Sequence, residues 1–200
     1  MNVRGYLIIY NPRTKEVRKA RGVFTRNFAY MLLHVLNSFD NTSEEYDVKD
    51  FFGNTYKIDA RPMFEIPQGS FFYHNIYTYI RNVSGWVNLR VGLTAWLTES
   101  DYTPSPNDYR PPTTDFEVPL RSKSLVMNPN NTQIIYSGSE VTNRSLTVKG
   151  VAIFNKIYPK RIDPNTPDTT YWVMIDGFSI SPIEFSANDV ISISYRITLS

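Results

Sequence analysis

Val190-Ile191-Ser192-Ile193-Ser194-Tyr195-Arg196-Ile197-Thr198-Leu199 decides the fold class. From Ile191 onward, apolar residues at odd positions alternate with polar ones at even positions. A period of two over that length specifies a β-strand with one face buried and one face wet. Asn188-Asp189 supplies turn chemistry just before it. A strand of this quality is expected inside a sheet, because at an edge it would expose a long row of unpaired backbone groups.

The remaining sequence is rich in short strands. Tyr6–Tyr10 reads as a first strand and Val17–Val23 as its basic, partly exposed partner. Ser124–Met127, Thr132–Tyr136, Ser145–Phe154 and Tyr171–Ile175 follow the same logic, with turns expected at Ser137-Gly138-Ser139 and Asp176-Gly177. Trp86–Leu97 reads as a long core strand whose second face is partly covered, and Met63–Ile66 as a short one. One helix is expected over about 25–38, capped by Thr25, with a stripe of Phe28, Met31, Leu32, Val35, Leu36 and Phe39. Gly53-Asn54 reads as a two-residue hairpin turn, in a register that sets Phe51 against Tyr56 and Asp50 against Lys57. The expected fold is all-β: an antiparallel two-sheet sandwich, jelly-roll-like, forming a single domain over 1–200. A barrel plugged by the helix is the lesser alternative.

Proline shapes the middle of the chain. The stretch 99–119 contains Asp101-Tyr102-Thr103-Pro104-Ser105-Pro106-Asn107-Asp108-Tyr109-Arg110-Pro111-Pro112, and proline cannot donate to a sheet ladder. It is expected to run outside the sheets as a stiff loop, ordered by a neighbouring chain. Tyr102 and Tyr109 would supply low-entropy contact area there, for a protein interface or a glycan, with Asp101, Asp108 and Arg110 as a polar rim. The aromatic run Phe71–Ile80 reads as sandwich core, and 158–170 as a second polar loop.

Several function classes are disfavoured. The chain has no cysteine, so disulfides, thiol nucleophiles and zinc–thiolate sites are out. Its two histidines, His34 and His74, lack ligand spacing, and no metal or other cofactor is expected. Neither a nucleophile elbow nor a phosphate-binding glycine loop occurs. Asp101, Asp108, Asp115 and Glu117 leave a glycosidase as a minor rival, though acids beside prolines and turns read first as loop-forming groups. The net charge of +2 is too small to point to a nucleic-acid surface. The clusters Arg13–Arg21 and Lys156–Arg161 read as solvated charge. Tyr6–Tyr10 is too short for a signal segment and no apolar stretch reaches membrane-spanning length. Asn41, Asn82, Asn130 and Asn143 head Asn-x-Ser/Thr triplets in expected turns, as glycosylation acceptors must.

The order of parts carries a resemblance. Arg26-Asn27-Phe28-Ala29-Tyr30-Met31-Leu32-Leu33 opens it, followed by the Asp-x-x-Gly-Asn-Thr-Tyr hairpin at 50–56. Leu89-Arg90-Val91-Gly92-Leu93-Thr94 then leads to the proline loop ending in Asp108-Tyr109. With the terminal strand, this resembles a module of virion proteins from viruses of hyperthermophilic archaea and of some phage tail proteins. Thr94-Ala95-Trp96-Leu97 departs from it, standing where such modules carry a Gly-rich segment. The resemblance implies a non-enzymatic structural protein of the virion: a capsid, turret, vertex or tail-fibre component. It would be made in the host cytoplasm and partner with itself and with other virion proteins. A carbohydrate- or receptor-binding module for host attachment is the alternative.

Overall fold

The computed structural model describes residues 2–30, 45–59, 93–128, 131–157 and 171–199. Helix positions 31–38, the strand readings at 63–66 and 86–92, the aromatic run 71–80, the loop 158–170, both histidines and the triplets at Asn41, Asn82 and Asn130 lie outside the described residues.

Twelve strands are described: β1 (Val3–Asn11), β2 (Glu16–Arg21), β3 (Val23–Phe24), β4 (Glu45–Lys49), β5 (Thr55–Asp59), β6 (Leu93–Thr98), β7 (Phe116–Leu120), β8 (Ser122–Asn128), β9 (Asn131–Val141), β10 (Leu146–Ile157), β11 (Tyr171–Phe185) and β12 (Val190–Leu199). They form two five-stranded antiparallel sheets, β2-β1-β12-β9-β8 and β3-β11-β10-β6-β7, plus the hairpin β4-β5. The expected two-sheet sandwich is what the chain adopts. β12 lies inside the first sheet, between β1 and β9, and its odd positions Ile191, Ile193 and Tyr195 are buried. Leu7 and Ile9 of β1 stand beside Tyr195 and Ile193 and point the same way. Against them the second sheet brings Leu97, Val118, Leu120, Val151, Ile153 and Phe178, closing the main core by apolar burial.

The second sheet is buried on its other face as well. Val151 and Ile153 face the main core, whereas Ala152 and Phe154 join Met174 and Tyr102 in a second cluster. Phe51, Trp96 and Trp172 close that cluster from the side. Both faces being covered explains why 151–154 and 173–175 read as unbroken apolar runs rather than an alternation.

The helix start is as expected. The Phe28 amide donates to Thr25 Oγ1 at 3.4 Å, and the helical turn at 26–30 follows. Thr25 Oγ1 itself donates to the Met174 carbonyl at 2.6 Å, tying the helix entry to β11.

Four local readings need correction. Ser137-Gly138-Ser139 is not a turn but the middle of β9: a Cβ on Gly138 would lie 2.0 Å from the Pro119 carbonyl oxygen, so the glycine marks a close passage of β7 over β9. Asp176-Gly177 is likewise inside β11, where a Cβ on Gly177 would lie 2.5 Å from the Tyr102 hydroxyl.

The third correction concerns the hairpin, which pairs Val48 with Tyr56 and Asp47 with Lys57, leaving 50–54 as its loop. Asp50 is buried and organises that loop. Its Oδ1 accepts the Phe52 and Asn54 amides at 2.9 and 2.8 Å, which a cross-strand pair with Lys57 would forbid. Finally, the proline segment does not stay outside the sheets throughout. Phe116–Leu120 is β7, and Pro119 is tolerated because β7 is an edge strand.

Candidate functional site

The sequence directs attention to the proline loop, now 99–115. Its two ends are clamped. The Glu99 amide donates to Asp115 Oδ2 at 2.8 Å, and the hydroxyls of Thr98 and Thr113 lie 2.7 Å apart. Glu99 also accepts the Thr147 amide at 2.8 Å and pairs with Arg144 at 2.7 Å, binding the loop to β10.

Tyr102 is not the exposed contact group expected of it. It is 6% exposed, packed against Phe154 and Met174, and its hydroxyl donates to Asp108 Oδ2 at 3.1 Å. Burial, then the nearby Asp108 charge, pushes the Tyr102 phenol well above its ordinary pKa. Asp108 turns inward too, accepting the Ser105 amide at 2.8 Å, while the Pro106 carbonyl accepts the Arg26 amide at 2.8 Å. The loop is therefore anchored to its own sandwich through Tyr102, Asp108 and Pro106. Proline lowers the entropy of the free loop, and the gain goes into folding.

The other candidates are more open. Tyr109 is half-buried, with the Lys49 ammonium 5.9 Å and the Arg110 guanidinium 5.6 Å from its ring centre. Arg110 is exposed, and Asp101 is exposed while pairing with Lys149 at 3.1 Å. A cleft of about 360 Å³ lies among Tyr109, Arg110, Asn107, Asp108 and Pro111. Asn143 sits exposed in the turn between β9 and β10, open to modification. Among the acids once weighed as a catalytic pair, Asp108 and Asp115 are engaged by amide and hydroxyl donors. Among the described residues no cluster of three or more metal-ligating side chains occurs, and no helix is long and apolar enough to cross a membrane.

A second surface went unrecognised in the sequence. Among the described residues the two five-stranded sheets have four edges, and three are blunted. β2 carries Glu16, Arg18, Lys19 and Arg21; β3 has two residues; β7 holds Pro119. The fourth, β8, runs seven residues without proline and with Lys123 as its one charge. Leu125, Val126 and Met127 on it are 59%, 38% and 74% exposed. Their adjacency was the available signal, but only the strand order shows that β8 ends a sheet.

No family model, no curated protein and no solved structure matches the chain.

Proposed function

We propose that this chain is a non-enzymatic structural component of a virion, in the capsid, turret, vertex or tail, assembling with copies of itself and with other virion proteins. The virion assignment rests on the order of helix, hairpin, proline loop and terminal strand in the sequence. The single observation that carries the assembly part is β8. An unblunted, apolar edge beside three blunted ones is a template for adding a strand from another chain. Since the proline loop packs inward, assembly is assigned to this edge rather than to Tyr102.

Light scattering on the purified chain tests the assembly part. The expected result is an oligomer that falls to monomer in the Leu125→Lys/Met127→Lys double variant, both side chains being exposed enough for the fold to accept the change. A wild-type chain that stays monomeric at high concentration would count against it.

Host attachment is the second reading, favoured by the Tyr109 ring beside Arg110 and Asn107 in an open cleft. Glycan-array binding that disappears in Tyr109→Ala would support it, and an array without signal would remove it.

A further inference from the structure

We propose that the outer face of the first sheet binds single-stranded nucleic acid. The alternation that buries Leu7 and Ile9 turns Arg4, Tyr6, Ile8 and Tyr10 of β1 outward. In the ladder, Tyr6 stands opposite Arg21 of β2 on one side and Arg196 of β12 on the other. Lys19 stands beside Ile8. One tyrosine is thus bracketed by guanidiniums on both neighbouring strands, with two further cations within a residue pair along the sheet.

The outward positions of this face are basic, aromatic, apolar or uncharged polar. No outward-pointing position described on β1, β2, β8, β9 or β12 is Asp or Glu. Among the described residues, Arg13, Arg18, Arg144 and Lys149 each pair with a carboxylate away from this face, while Arg121, which lines the groove beside it, pairs with Glu140 at 2.9 Å. Arg4, Lys19, Arg21 and Arg196 have no such partner, and the Nε atoms of Arg4 and Arg196 are enclosed without a hydrogen bond. A groove of about 720 Å³ lies alongside, over Ile8, Tyr10, Ser137, Ser139, Ser192 and Ser194.

The small net charge of the chain hides this face, because the acids are held elsewhere. Unpaired guanidiniums present planar forks that suit phosphate, and serine hydroxyls can donate to phosphate oxygens. Tyrosines interleaved with the cations offer rings for bases to stack on. That last feature selects a single strand over a fully charged partner without stacking faces.

The test is fluorescence anisotropy with a labelled oligo-dT of about twenty nucleotides, titrated across salt concentrations. With four cations engaged, the logarithm of affinity should fall against the logarithm of salt with a slope of about −3. Lys19→Glu/Arg21→Glu, on two exposed side chains, should weaken binding by roughly tenfold or more at an unchanged melting temperature and flatten that slope. Tyr6→Leu, which keeps an apolar side chain, should cost about fivefold or more for the strand and nothing for heparin. Absence of binding at low salt, or affinity unchanged in the double variant, would overturn the proposal. Heparin binding as tight as the oligonucleotide, with no effect of Tyr6→Leu on either, would overturn it in favour of an acidic glycan.

Discussion

The Tyr195 hydroxyl donates to the Asp176 carboxylate at 3.1 Å, and both side chains are fully buried. The contact links β12 in one sheet to β11 in the other, and among the described residues no cation pairs with it. A Cβ on Gly5 or Gly22 would lie 1.9 or 2.2 Å from the Asp176 oxygens, so the chain keeps room for this acid.

Burial is the main cause that raises the Asp176 carboxyl from 3.8 to about 7, with the bonds from Tyr195 and Gly177 pulling the other way. Between those values the folded chain holds a proton that the unfolded chain has lost, so this group's contribution to stability falls as pH rises. The full difference is on the order of 4 kcal/mol. Asp176→Asn keeps an acceptor for Tyr195 and removes the titration. Urea unfolding should show the variant gaining on the wild type between about pH 4 and about pH 8. A difference between the two that does not change with pH would contradict this.

Asp189 behaves in the opposite sense. Its bonds from Arg13, at 2.5 and 2.9 Å, are the largest cause holding its carboxyl down at about 2, with the Ser186 amide next. Its contribution is present above the ordinary carboxylate range and is lost as pH falls toward 2. Arg13→Ala should therefore lower the melting temperature at neutral pH, with the difference shrinking in acid. An effect that grows in acid would contradict the assignment.

Tyr102 anchors the proline loop to the second cluster. Tyr102→Ala should cost about 3–5 kcal/mol in chemical denaturation, the cost of an emptied aromatic site. Tyr102→Phe should cost only about 1 kcal/mol, for the lost bond to Asp108. If Tyr102→Ala unfolds like wild type, the loop is not part of the fold.

Gly138→Ala places a methyl against backbone rather than against a movable side chain. A loss of about 3 kcal/mol or more is expected, beyond the ordinary helix or strand preference of alanine. An unchanged unfolding midpoint would mean that β7 does not cross β9 as described.

The architecture was legible where a periodic pattern decides it. Ile191, Ile193 and Tyr195 announce a half-buried strand by themselves, and Thr25 announces a helix start. Gly138 and Gly177 were misread as turns because a glycine kept for close approach looks locally like one kept for bending. Asp50 shifted the hairpin register through side-chain bonds to its own loop, a contest that strand pairing preferences do not see. Tyr102 could not be placed because Phe154 and Met174, which bury it, lie far along the chain. The β8 edge and the face bracketing Tyr6 both depend on which strands are neighbours. Residue spacing within a strand contains no such information.

Incorporation of this chain into a virion, as proposed above, is a statement about particle composition. Its most direct test is quantitative mass spectrometry of particles purified from the culture that carries this coding sequence. The expected result is the chain in intact particles, in a fixed ratio to the other particle proteins that persists through repeated purification. Particles that lack the chain, or that lose it progressively on washing, would rule out a structural place in the virion.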